Sequence, residues 1–533
     1  MKPSDEQIEA ILYPGNLAIT AKPGSGKTFT IVEKIYCISL SQQQHQGIIA
    51  ISFTNKASDE LKNRCIRRGV ISNNSFFGTI DSFCIGTIII PFMKHLVHVT
   101  GDAEIVQLCD YPEYGALGEF RADSPPEIEQ VFIKSLNNGL IFLDITGESA
   151  LYIFEKVKQC RDFLKARYSH VFIDEYQDCG EMQHALFVEL TKLGIIGIAV
   201  GDLDQAIFGF ADKHSKYLLT VSKSKSFKHI PITKNYRCHK SISSYSLQLL
   251  GIDSESYSKE ETRVFEARVE GGEAEIAVAI EDRLHPIMGK YEVTNQNEVA
   301  VLFRGNSTLN SFAANLTVPY RISNPTRLEE QGSSQARFFS DLLMSYYSSK
   351  EYAGSFIERY IREEENEKRY RKALALAELL FSYPEQELCK KADQMIDLLK
   401  MVSLRDDCSP VIKLLNSELK DYSLLERNYG SAEVGEINLM TLHKSKGLEF
   451  DVVFHLDAYR FIMPPYKQED PSFEEYTQLL NLHYVGITRA RKVCYIIQGS
   501  VRTNSKGEQK DAEPSLFLSI NNLEKYRNRI KWQ

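Results

Sequence analysis

Residues 21–28 read AKPGSGKT, set directly after the apolar run NLAIT and directly before the helix-like stretch FTIVEKIYCI. A strand, a glycine-rich turn and a helix in that order constrain the fold more than any other feature of the chain, because the turn presents backbone N–H groups at the positive end of a helix. Gly24 and Gly26 lack a Cβ, so the backbone can close around phosphate oxygens, with Ala21, Lys22, Pro23 and Ser25 completing the turn. Lys27 then offers a cation to β- and γ-phosphates, and the Thr28 hydroxyl a ligand to Mg²⁺. The first position is Ala21 rather than the glycine of the widest pattern, and an ordinary strand-to-helix loop is the alternative.

The alternative weakens further along. In HVFIDEYQDCG, residues 170–173 form a short apolar strand that ends in Asp174 and Glu175. Side chains alternate along a strand, so adjacent carboxylates at its carboxyl end can divide the work. Asp174 would hold Mg²⁺ through water, and Glu175 would polarise an attacking water as general base.

Five further stretches and one near the amino end complete an ordered series: SDEQIEAI at 4–11, ISFTNKASDELKNR at 51–64, GTIDSF at 78–83, AVGDLDQAIFGF at 199–210, KNYRCHKSI at 234–242 and NLMTLHKSKGLEFDVVF at 438–454, followed by LHYVGITRARK at 482–492. The series resembles the UvrD/Rep group of superfamily 1 DNA helicases over almost the whole chain. That resemblance implies ATP and Mg²⁺ as cofactors and single-stranded DNA and DNA junctions as partners, with translocation running 3′ to 5′. It implies that Gln7 reads adenine, Tyr236 stacks on it, Gln205 senses the γ-phosphate, Arg237 contacts it, Glu449 touches the ribose and Arg489 is the arginine finger. Strand contacts are implied at Asn55, Thr79, Thr441 and His443, with base stacking by Phe53 and Phe210. Lys56, Lys62, Arg64, Lys444 and Lys446 beside Phe53, Phe83 and Phe210 make up the candidate channel. The chain departs from the pattern at Asp81, where the family commonly has His, and at Leu203 and Ala211, where it has a second Asp and an Arg. A weaker grip on single strands is the consequence expected.

The formal net charge of −8 does not argue against DNA, since only a local positive groove is needed. At 533 residues the chain exceeds one ordinary core, so two or more domains are expected. No apolar run approaches a membrane span, the start MKPSDEQIEA is polar, and the ten cysteines lack ligand spacing. A cytoplasmic protein with free thiols and no membrane partner is expected.

The expected fold class is α/β: two RecA-like parallel-sheet domains of the P-loop NTPase kind, with mainly helical inserted subdomains. Residues 1–84 and 151–252 form the first core, interrupted by a small insert at 85–150. A hinge is expected at 253–273, the second core at 274–345 and 430–505, a reduced helical insert at 346–429, and a short tail at 506–533. By resemblance, ATP sits between the cores. Both inserts are shorter than in the housekeeping members, so a partner nuclease in a defence or repair assembly is the second reading. Gabija-type anti-phage helicase subunits share this economy of form. The chain runs only a short way past 482–492, and no fused nuclease domain is expected.

Overall fold

The computed structural model describes residues 2–532 except 71–73, 99–102, 122, 204–215, 324–325, 332, 348–351, 362–366, 403–408, 421, 465–472 and 504–508. The chain divides into two units, Met1–Leu250 with Glu469–Thr488, and Gly251–Gln468 with Arg489–Gln533.

The first unit contains strands β1 (Leu17–Ala21), β2 (Gly47–Ile51), β3 (Phe76–Gly78), β4 (Glu104–Val106), β5 (Leu140–Phe142), β6 (Tyr168–Ile173), β7 (Ile196–Gly201) and β8 (Lys228–Ile232). Six of them build one sheet in the order β3-β2-β6-β7-β1-β8, every pairing parallel. Parallel strands are covered on both faces by their crossover helices, so their sequences are continuous apolar runs rather than alternating ones. GIIAI of β2 shows the consequence. Ile48 and Ala50 join a core with Ile31 and Ile35 of helix Lys27–Ser39 and Leu61 of helix Asn55–Arg68. Ile49 and Ile51, turned to the opposite face, join a second core that includes Leu186 of helix Glu181–Lys192. The 85–150 insert shares that second core: Phe120, Phe132 and Phe142 cluster with Val171 and Leu186, and Phe120 stacks on Phe132 at 4.2 Å between centroids.

The second unit contains β9 (Val264–Val269), β10 (Val299–Phe303), β11 (Tyr320–Ser323), β12 (Ile437–Thr441), β13 (Phe450–His455), β14 (Ala490–Gly499), β15 (Val501–Thr503), β16 (Gln509–Asp511) and β17 (Asn528–Trp532). Seven of these form a second all-parallel sheet, β11-β12-β10-β13-β14-β9-β17. Val301, Leu439, Phe454 and Ile497 pack under helix Glu273–Lys290 through Ile276 and Ile280. The two sheets are the two RecA-like cores.

Four boundaries differ from expectation. The 253–273 stretch, expected as a hinge, supplies β9 between β14 and β17, and the 506–533 tail supplies β17 at the sheet edge. Both strands carry charges that disguise them. Glu266 of β9, 1 % exposed, receives Arg527 Nε at 2.6 Å and Arg529 Nε at 3.1 Å, so those charges neutralise one another in place. The helical insert begins earlier than residue 346, with helices Arg327–Gln331 and Ser334–Tyr347, and runs to Tyr422–Tyr429 around its own core of Phe338, Phe356, Leu380, Leu398 and Leu415. Finally, helix Phe473–Thr488 groups with the first unit, where it packs on helix Lys240–Leu249. No helix among the described residues is long and apolar enough to cross a membrane, and no disulfide joins the described cysteines.

Candidate nucleotide site

β1 ends at the buried Ala21, and the turn that follows is left-handed at Gly24 (φ +70°) and Gly26 (φ +81°), the latter capping helix Lys27–Ser39. Space as well as conformation demands glycine here. A Cβ on Gly24 would lie 2.4 Å from Arg237 Cβ, and one on Gly26 would lie 2.7 Å from Gln7 Nε2. The carbonyls of the turn are held from outside: Asn235 Nδ2 donates to Pro23 O at 2.8 Å, Tyr236 N to Gly24 O at 2.8 Å, and Gln7 Nε2 to Ser25 O at 2.9 Å. With those carbonyls turned away, the N–H groups at the helix start can face an anion. Lys22 N donates to Ile232 O at 3.2 Å, which ties the turn to the end of β8. The fully buried Ser25 Oγ has no hydrogen-bond partner among the described residues.

Lys27 and the carboxylates come together in the structure. Lys27 Nζ lies 3.2 Å from Glu175 Oε1 and 3.3 Å from Oε2. Burial works against the Lys27 ammonium, but Glu175, Asp202 and Asp174 outweigh it and raise its pKa. Asp174 follows β6, where its N–H donates to Ile51 O and its Oδ1 accepts from Glu175 N, both at 2.9 Å. Burial, then the neighbouring Glu175 carboxylate, pushes Asp174 up to about 7, and a cation beside it favours the ionised form. Glu175 sits at φ +54°, an uncommon conformation for a residue with a Cβ and one that concentrates at functional sites.

The donor set fits a nucleoside triphosphate with a divalent cation. Glycines that a Cβ would obstruct, a buried ammonium, the half-buried Thr28 at the helix start and the Asp174 carboxylate are the parts such a group requires.

Other predicted residues are placed as follows. Gln7 is 1 % exposed and already committed, its Oε1 accepting Ser4 N at 2.9 Å in a capping box while its amide holds Ser25. Tyr236 and Arg237 are half-buried beside the turn, and Lys234 Nζ lies 5.2 Å from the Tyr236 ring centroid. Thr79 caps helix Ile80–Phe83, accepting Ser82 N at 3.3 Å, and Phe53 is half-buried at the end of β2. Asn55 starts helix Asn55–Arg68. Gln205 and Phe210 lie outside the described residues. Phe83 corrects the channel expectation: it is a core side chain, 0 % exposed and packed edge-on against Phe76 and Tyr168. Exposed Arg64 pairs with Glu60 one helical turn away.

In the second unit, Thr441 ends β12 and accepts Lys444 N at 3.4 Å, while burial and then Arg304 and Lys446 push the His443 imidazole down to about 4. Glu449 is exposed. Arg489, 1 % exposed, donates through Nη1 to Leu448 O at 3.0 Å. Within the first unit, the Thr488 carbonyl accepts the thiol of Cys238 at 3.7 Å.

Four residues escaped the sequence argument. Asn235 clamps the turn and accepts Arg237 N at 2.8 Å, Asp202 adds charge beside Lys27, and Gln177 lies between Glu175 and Asp202. Lys34 caps the carbonyls of Ala10, Ile11 and Tyr13 at 3.0, 3.3 and 2.6 Å, holding the helix that carries Gln7. The first three stand inside the motif strings, so position was legible where role was not. Lys34 had no signal, since a helix-interior lysine reads as solvated.

Fold and site define a P-loop NTPase built on two parallel sheets. The family model of the UvrD-like helicase C-terminal domain matches residues 333–500, and that of an AAA domain matches residues 5–211. The chain is 24 % identical over 634 residues to the ATP-dependent DNA helicase PcrA of Staphylococcus epidermidis, covering 97 % of this chain and 86 % of that protein. It is 22 % identical over 611 residues to PcrA of Bacillus subtilis, covering 92 % and 81 %. To the Gabija protein GajB of Bacillus cereus it is 32 % identical over 274 residues, 49 % of this chain and 51 % of GajB, so this match spans about half of that relative. The chain is homologous to the PcrA/UvrD helicases and to GajB, consistent with a UvrD/Rep-like superfamily 1 helicase. This homology supports an ATP-dependent DNA helicase.

Proposed function

We propose that the protein is an ATP-driven, single-stranded DNA translocase and helicase that moves 3′ to 5′. The observation that carries the reading is the Lys27–Glu175 pair, at 3.2 Å, under a turn in which a Cβ on either Gly24 or Gly26 would clash. Mg²⁺, held by Thr28 and Asp174, would supply charge neutralisation at the phosphates. Lys27 orients the β- and γ-phosphates and stabilises the charge developing on them, while Glu175 accepts the proton of the attacking water. Base reading by Gln7, stacking by Tyr236, ribose contact by Glu449 and phosphate contacts by Gln205 and Arg237 complete the nucleotide roles. Arg489 acts as arginine finger, a role its motif supports. Strand contacts at Phe53, Asn55, Thr79, Phe210, Thr441 and His443 follow from their motifs.

A second reading is favoured by the match to GajB: a DNA-sensing ATPase subunit of an antiviral defence or repair complex, acting with a separate nuclease in the cytoplasm. ATP turnover measured with single-stranded DNA, blunt duplex, tailed duplex and RNA separates the two. A motor is stimulated most by single strands and unwinds the tailed duplex alone. A sensor responds to duplex ends and unwinds nothing until a nuclease is added. Absence of stimulation by any DNA would remove both readings.

A further inference from the structure

Among the described residues the Glu175 carboxylate meets an ammonium and an amide, and only the amide is compatible with its work. Lys27 holds it at 3.2 Å by charge, yet that ammonium is the group the phosphates require, and a cation beside a carboxylate lowers its basicity. Gln177 holds it differently. This side chain is 0 % exposed; its Nε2 donates to Glu175 Oε2, and its Oε1 accepts the backbone N–H of Asp202 at 2.9 Å. One neutral amide thus spans from the second residue after β6 to the residue after β7. The fit leaves no slack, since a Cβ on Gly201 would lie 2.3 Å from Gln177 Oε1. Gln177 also stands in the short helical turn Tyr176–Asp178, which opens on Glu175 at φ +54°, so the backbone that aims the carboxylate and the amide that fixes it are one piece.

We infer that Gln177 is the positioning residue for the general base: it holds the Glu175 carboxylate in its reactive orientation when Lys27 turns to the phosphates, and it takes its own bearing from the Asp202 N–H. The inference rests on Glu175 being the base. A neutral donor orients a carboxylate at little cost to its basicity, whereas a second cation there would weaken the base it was meant to serve. Misplacement of a reacting group by about 1 Å costs on the order of 10²-fold in rate.

Two substitutions separate aim from architecture. Gln177→Met keeps length and apolar bulk but removes donor and acceptor. Gln177→Glu keeps the acceptor for Asp202 N–H while replacing the donor with a carboxylate oxygen. The measurements are kcat at saturating ATP with single-stranded DNA present, KM for ATP, equilibrium binding of a non-hydrolysable ATP analogue, and melting temperature. For Gln177→Met the expected result is a fall in kcat of about 10²-fold with KM and analogue affinity within about two-fold. Gln177→Glu sets a second buried carboxyl against Glu175 and should lose kcat to a similar degree at some cost in melting temperature, with analogue binding certifying the folded site, which keeps the test valid if the Met variant does not fold. Wild-type kcat in folded Gln177→Glu, or losses confined to melting temperature, would overturn the inference. Glu175→Gln, measured alongside, tells the two failures apart: if it turns over ATP normally, the base assignment itself is wrong, and if it is dead while both Gln177 variants are active, only the positioning role falls.

Discussion

The two sheets are built by the same rule and put to different use. Each is all-parallel, with apolar strands buried on both faces, so in each the polar residues collect where strands end. At the carboxyl ends of β1, β6 and β7 the first sheet gathers Lys27, Asp174, Glu175 and Asp202 around a glycine turn. At the ends of β10 and β13 the second sheet places Arg304 and Asp457, but there Asp457 Oδ2 simply accepts the Arg304 N–H at 2.8 Å, and the single Gly305 that caps the next helix is extended rather than left-handed. Strand-end acids are thus a consequence of the architecture, and chemistry appears only where a phosphate-shaped space and a cation meet them.

Substitutions can break this contrast. Lys27→Ala should have the largest effect, abolishing ATP turnover and weakening nucleotide binding, as read by steady-state hydrolysis and equilibrium binding. Arg489→Ala should lower kcat by about 10³-fold with a modest change in nucleotide affinity, and an effect on affinity alone would remove it from the finger role. In the second unit the large effects should be structural. Glu266→Gln leaves the buried Arg527 guanidinium without its counter-charge and should cost about 3–5 kcal/mol, measured by denaturant unfolding, with kcat of the folded protein retained.

The smallest effect sharpens the contrast most, because one substitution is made at two strand ends. Asp174→Asn should stop turnover, whereas Asp457→Asn should leave it intact and not lower stability at neutral pH. Burial raises Asp457 from 3.8 to about 6 against the opposing Arg304 N–H and Thr308, with Glu273 adding to the rise. A carboxyl whose folded pKa is raised binds more protons folded than unfolded, so its contribution is present below pH about 4 and is lost as pH rises to about 6. That downward slope of stability should disappear in Asp457→Asn, whose side chain still accepts the Arg304 N–H and tolerates the φ of +64°.

Much of this was legible in the sequence, for reasons that particular residues show. NLAIT, IIAISF, HVFIDE and EVAVLF are continuous apolar runs and became β1, β2, β6 and β10. VFEARV and NRIKW became β9 and β17 despite their charges, because Glu266 and Arg529 face each other in register, with Arg527 just before β17 pairing to the same carboxylate, an arrangement no local pattern encodes. In the site, Lys27 and Glu175 announce themselves by motif. Gln177 and Asp202 do not, since their roles depend on β6 and β7 lying side by side. Phe83 failed in the other direction: an aromatic in a strand-contacting motif was core.

The central claim is that the first unit hydrolyses ATP with Glu175 as general base and does so in response to single-stranded DNA. Glu175→Gln tests it most directly, with ATP binding and DNA-stimulated turnover measured on the same preparation. The account predicts ATP binding close to that of the wild type and no steady-state hydrolysis with or without DNA. Turnover at the wild-type rate, stimulated by single strands as before, would contradict it.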